Sequence, residues 1–238
     1  MSVGLQLVDT KDWNVRLNAS YNTNHNKVLS IGNAVPFAIG GFSSRTVQTV
    51  VAEGQPVGFI RGYKAVLNSD NSLKEILPLQ NLGSTLPTVY GNFSLSASYK
   101  NLSLMINGDY QYGAYVHSFD RQFRFSKGLK DSAIPEKALE GLDQGANWLN
   151  FTNFFVEKSD FVKIRNIGIS YDYKPEKYLK NINFGFNVYN PFAFTASSVD
   201  PEAALAGARS QGAVAVGGLN YSSYSTPRQY VGSIRISF

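Results

Sequence analysis

Residues 88–116 read TVYGNFSLSASYKNLSLMINGDYQYGAYV, and two alternations within them set the fold. Phe93, Leu95, Ala97 and Tyr99 alternate with Ser94, Ser96 and Ser98. After Lys100 and Asn101 the phase resumes, with Leu102, Leu104, Ile106, Tyr110 and Tyr112 set against Ser103, Asn107, Asp109 and Gln111. Successive side chains of a strand point to opposite faces, so this stretch is a hairpin with one apolar and one polar face.

The same pattern recurs outward from that hairpin. In residues 13–21, Trp13, Val15, Leu17, Ala19 and Tyr21 alternate with Asn14, Arg16, Asn18 and Ser20, and the chain closes on Tyr230, Gly232, Ile234 and Ile236 before a final Phe238. Further strands are predicted at 2–8, 45–52, 58–67, 161–173, 181–190 and 227–238. The total is about eight, several near the roughly 9–11 residues that a tilted strand needs to cross a bilayer. Their links alternate in length: short ones near 9–12, 53–56, 100–101 and 174–180, longer ones over 22–44, 68–87, 117–149 and 191–226. Outer-membrane barrels combine short periplasmic turns with longer extracellular loops. The expected fold is therefore an all-β, antiparallel transmembrane β-barrel segment with its C-terminus on the periplasmic side.

Composition agrees. Of the 238 residues, 43% are hydrophobic and 13% aromatic, but only 16% are charged, against roughly 25% in an ordinary globular chain. Tyr99, Tyr110, Tyr112, Tyr171, Tyr173 and Tyr230 fall near strand ends, where an amphipathic ring suits the headgroup level. No apolar run approaches the about 20 residues of a membrane-spanning helix. The start MSVGLQLVDT lacks the layout of a signal peptide, so an exported protein would have its signal removed or placed upstream. Cysteine is absent, which excludes disulfides and thiolate metal sites. The net charge of +5 is not gathered into a stripe, which argues against nucleic acid. The presumed inward residues Ser94, Ser96, Ser98, Asn183, Gly185 and Asn187 would fill a narrow eight-stranded barrel poorly and suit the wet wall of a wider one.

Residues 10–32, 50–66, 161–195 and 217–238 resemble, in order, successive segments of the C-terminal barrel of SusC/RagA-type TonB-dependent transporters of Bacteroidetes. The most specific pieces are the Glu53-Gly54-Gln55-Pro56 turn leading to Gly62-Tyr63, and the Tyr224-Ser225-Thr226-Pro227-Arg228 approach to the last strand. The resemblance implies that residues 1–238 form one C-terminal region of a barrel of about 22 strands, with the plug and the TonB-contacting segment lying elsewhere. It also implies a SusD-like surface lipoprotein above, TonB below, and an oligosaccharide or peptide cargo. Tyr230, Ile234, Ile236 and Phe238 would then form the outer-membrane assembly signal as well as a lipid-facing edge.

Catalytic chemistry finds little support. His25 and His117 are the only histidines and neither has metal-ligand spacing; a solvated loop position is expected for His117. Asp131, Glu136, Glu140 and Asp143 read as a solvated helical turn begun by Pro135, since no calcium-loop spacing accompanies them. No enzyme, cofactor or metal is expected. Long loops on a rigid scaffold are where recognition resides, so the binding candidates are His117, Phe119, Arg121, Arg124 and Trp148 in one loop and Arg209, Tyr221 and Tyr224 in the last. Two other readings stay open: a structural or adhesive surface barrel without transport, and a soluble β-sandwich binding module.

Overall fold

The computed structural model describes residues 1–41, 47–175, 179–202, 218–220 and 224–238. In chain order the strands are β1 (Ser2–Asp9), β2 (Trp13–Ser20), β3 (Asn22–Thr23), β4 (Phe37–Gly41), β5 (Gln48–Val51), β6 (Phe59–Leu67), β7 (Leu73–Ser84), β8 (Val89–Tyr99), β9 (Leu102–Tyr112), β10 (Tyr115–Ser118), β11 (Val156–Lys158), β12 (Phe161–Tyr173), β13 (Asn181–Thr195), β14 (Leu219–Asn220) and β15 (Gln229–Ser237). Between β10 and β11 lie helices α1 (Phe119–Ser126) and α2 (Gln144–Asn147) and 3-10 turns at Glu136–Leu139 and Trp148–Phe155.

The principal sheet runs β1-β2-β8-β9-β12-β13-β15, with short β3 also beside β8. Every pairing in it is antiparallel. Period two becomes a shared face because the registers agree. Leu5, Leu17, Leu95, Ile106, Ile167, Val188 and Tyr230 lie opposite one another strand by strand across the whole sheet. The adjacent row, Gly4, Asn18, Ser94, Asn107, Asn166, Tyr189 and Gln229, is almost wholly polar and faces the other way. A one-residue slip in any pairing would exchange these rows. On the apolar face Phe93 lies across Gly108, where an added Cβ would come within 2.3 Å of the ring; only glycine lets the aromatic cover its neighbour strand.

The links at 10–12, 100–101 and 174–180 are short and lie at one end of this sheet, with Lys100 taking the positive φ of 52° that its tight turn requires. The three long connections, 21–88, 113–160 and 196–228, leave from the other end. Here the architecture departs from expectation. The predicted wall strands at 45–52 and 58–67, with the turn at 53–56, belong to a separate sheet ordered β4-β5-β6-β7 inside the first connection. The predicted loop at 68–87 contains β7. Alternation records that a strand has two unlike faces, which is as true of a loop hairpin as of a wall strand. β7 escaped because Pro78 and three register shifts against β6 break its phase, and proline argues against a regular strand.

Hydrophobic cores lie in the connections. Phe125, Ile134, Ala138, Phe151 and Phe155 bury against Ala65 of β6, and Val47, Ile60 and Leu219 form a second cluster. Rings pack at centroid distances of 5.8 Å (Phe125–Phe151) and 5.6 Å (Phe125–Phe155). β14 pairs in parallel with β10, His117 opposite Leu219, and β10 pairs antiparallel with β11. Asn153 exchanges hydrogen bonds with the Ala65 backbone. The three connections thus join into one cap over the loop end of the sheet.

Candidate functional site

On the polar face, side chains bind one another across strands: Arg16 Nε donates to Gln6 Oε1 at 3.2 Å, Asn18 Nδ2 to Ser94 Oγ at 3.2 Å, and Ser20 Oγ to Asn92 Oδ1 at 3.0 Å. A shallow cavity of about 400 Å3 opens on this face, walled by Asn14, Ser96, Ser103, Gly168, Asn187 and Ser233. Short hydroxyls and amides leave a wettable surface with donors and acceptors but no strong charge.

Charge is concentrated at the loop end of the same face. A β-bulge makes Arg165 an extra residue of β12 against β9, while on the β13 side it faces the unpaired Asn190 and Pro191, and bulges re-aim side chains in this way. Arg165 grips Asp109 of β9 with Nε–Oδ1 at 2.5 Å and Nη2–Oδ2 at 2.8 Å, and Glu202 with Nη1–Oε2 at 2.6 Å. Lys163, only 6% exposed, donates to Asp200 at 2.6 Å and to Glu202 at 2.7 Å, and lies 5.0 Å over the Phe161 ring. Burial raises the Asp200 and Glu202 carboxyls, but the cationic donors outweigh it and hold both below their usual range. A cavity of about 220 Å3 adjoins the cluster, lined by Lys163, Arg165, Asp200, Thr195, Ser225 and Thr226. These five charged residues were missed by sequence reasoning. The visible signal was two cations two residues apart, Lys163 and Arg165, following Phe161 on one face of the strand.

The binding candidates of the second connection are drawn together around α1, though not all on the surface. Phe119 stacks on Phe123 at 6.1 Å and meets Trp148 edge-on at 6.2 Å. Arg121 is half-buried, paired with Asp131 and with Glu157 and lying 5.7 Å from the Phe155 ring. Arg124 is exposed in the last turn of α1. His117 corrects the expectation of a solvated loop residue: it is fully buried in β10. Gln122 donates from Nε2 to Trp148 O and Thr152 Oγ1. That orients its Oε1 toward His117 Nε2 at 2.5 Å, so Nε2 carries the proton. Nδ1 has no hydrogen-bond partner among the described residues. Burial, with the nearby Arg121 charge, pushes the imidazole down to about 4, so it is neutral at physiological pH.

In the last connection Tyr224 is 96% exposed, while Arg209 and Tyr221 lie outside the described residues. Tyr230, Ile234, Ile236 and Phe238 are all exposed at the open edge formed by β15. The acidic run has structural tasks: Asp131 pairs with Arg121, Glu136 with Lys130, and Asp143 caps α2 through Ala146 N at 2.8 Å.

No protein-family model matches the chain, and no curated protein matches it. Solved structures do. The chain is similar to chains of the RagAB peptide importer in its closed-closed state (TM-score 0.70, 18% identity) and its open-open state (TM-score 0.67, 19% identity). A further structure of the RagAB peptide transporter gives a TM-score of 0.69 at 20% identity. In each case all of this chain is covered, but only 28% or 29% of the other. The shared feature is the fold: an antiparallel β-barrel segment with short turns at one end and long, structured loops at the other, spanning a little over a quarter of the length of those importer chains.

Proposed function

We propose that residues 1–238 form a C-terminal barrel region of an outer-membrane importer, supplying part of its wall and three of its surface loops. The supporting observation is the apolar row from Leu5 to Tyr230, continuous over seven strands and backed by a polar row. A sheet with one lipid-compatible face and one wet face suits the wall of a wide barrel. Open edges at β1 and β15 cannot remain unpaired in hydrocarbon, so further strands complete the barrel. The plug is supplied from outside these 238 residues. Short turns face the periplasm and the cap faces outward, where it meets a SusD-like lipoprotein, while TonB acts from below. The cargo is a peptide or an oligosaccharide, and the named cargo of the similar structures supports the peptide.

The test is native electrophoresis and intact mass of the polypeptide purified from outer membranes, heated and unheated, combined with uptake of labelled oligopeptides. Co-migration with a plug-bearing partner or longer chain, and uptake abolished by dissipating the proton gradient, is the expected result. A heat-modifiable species of the chain's own mass that binds at the surface without uptake would favour the adhesive reading.

A further inference from the structure

The cations of β12 meet two kinds of carboxylate. Asp109 belongs to the wall and pairs with Arg165, whereas Asp200 and Glu202 arrive from the third connection. The segment carrying them is tied down along its length: Ala196 N donates to Asp160 O at 2.9 Å, Ser198 donates to Glu157 through both its backbone and its hydroxyl, and Thr226 N reaches Asp200 Oδ2 at 3.3 Å. Glu157 in turn pairs with Arg121 of α1. Removing Asp200 and Glu202 from this arrangement would leave two cations with a single carboxylate, and Lys163, almost fully buried, with none. An uncompensated buried charge is strongly unfavourable. Departure of the segment therefore requires another anion in its place, and the adjoining cavity of about 220 Å3 has room for one beside the hydroxyls of Thr195 and Thr226.

We propose that residues 196–202 form a strap latched onto the polar face of the wall, and that a carboxylate-bearing ligand entering this cavity releases it by exchanging with Asp200 and Glu202 on Lys163 and Arg165. The site is a carboxylate receptor occupied by the protein's own side chains. Two arginine–carboxylate forks and one lysine define it, and forks of this kind favour carboxylates over other polar groups. The inference rests on reading the polar face as the inner face of an importer wall, and it adds a ligand chemistry and a moving part to that reading.

Residues 1–238 contain no cysteine, so once any cysteine elsewhere in the assembly is replaced by serine, spin labels at Val199→Cys and Asn101→Cys report the distance from strap to turn end in the full chain within its membrane assembly. Titration with glutamyl-glutamate is expected to shift the strap away from its latched distance. N-acetyl-glutaminyl-glutamine amide, a neutral dipeptide with no carboxylate, is expected at matched ionic strength to leave it in place. A digalacturonate arm separates peptide from sugar acids as the carboxylate source. The Glu202→Gln variant should release at about tenfold lower ligand concentration, while Asp70→Asn, a carboxylate outside the cluster that pairs with Lys137, leaves the titration as in the wild type. No shift with either acid, or an equal shift with the neutral dipeptide, overturns the proposal. The wild-type titration decides even if a charge variant fails to fold. A static strap alongside normal peptide uptake would overturn the latch while leaving the importer reading intact.

Discussion

Phe184 and Phe186 in the sheet are 44% and 46% exposed, whereas Phe125, Phe151 and Phe155 in the cap are 0% exposed. The residue type is the same and the packing differs. Among the described residues every buried hydrophobic side chain lies in the cap except Phe161, at the first position of β12. The cap is thus assembled as a water-soluble protein is, by removing apolar surface from water. The sheet leaves its apolar face open, to be completed by lipid if it is the proposed barrel wall, and closes its backbone hydrogen bonds strand to strand.

That contrast predicts different responses to substitution. The largest effect belongs to the cap core. Phe151→Ala should cost about 3–5 kcal/mol and should lower amide exchange protection at Ala65 and Phe155 while leaving β8 and β9 protected. Equal loss of protection in the sheet would mean that the two regions unfold as one.

Placing a charge on the apolar row comes next. Ile106→Arg, central in β9, should destabilise the assembled protein by about 2–4 kcal/mol in a bilayer, read by urea titration of heat modifiability in liposomes. If the variant is as stable in lipid as the parent, that face does not meet hydrocarbon.

Acid separates the regions in a third way. The native His117 imidazole is held down at about 4, below its ordinary 6.5, by burial and by the charge of Arg121. The unfolded chain binds the proton first, so cap stability is full above pH 6.5 and falls progressively as the pH drops toward 4. A His117→Gln variant should flatten that slope in cap protection measured by hydrogen exchange. The strap behaves oppositely in range: Asp200 and Glu202 are held below their usual carboxylate values, so their contacts persist through mild acid and fail only beneath that range.

The smallest effect is expected on the wet face. Ser96→Ala should change stability by less than about 0.5 kcal/mol, checked by the same urea titration, because its hydroxyl borders an open cavity.

The wall was legible because a strand's two-residue period writes its environment directly into the chain, as Leu95 and Ser96 show. For the same reason the pattern could not separate wall from cap: the alternating strands β5 and β6 carry it without entering the principal sheet. Phe119 and Trp148 were visible as aromatic residues of one loop, and the fold does bring their rings together. The burial of His117 and the capture of Arg121 depend on Gln122, Asp131 and Glu157 closing around them, contacts that no local pattern announces.

By itself the sequence determined the two-faced strands, the phase of apolar positions within each of them, the short turns, and the low charge. These depend on neighbours one or two residues apart. Only the tertiary structure decided which strands share the principal sheet, that three long connections fuse into one cap, and that Asp200 and Glu202 meet Lys163 and Arg165. The physical reason is separation along the chain: a contact such as Lys163–Asp200 spans 37 residues and forms only when register, bulge and cap packing have brought its partners within hydrogen-bonding distance.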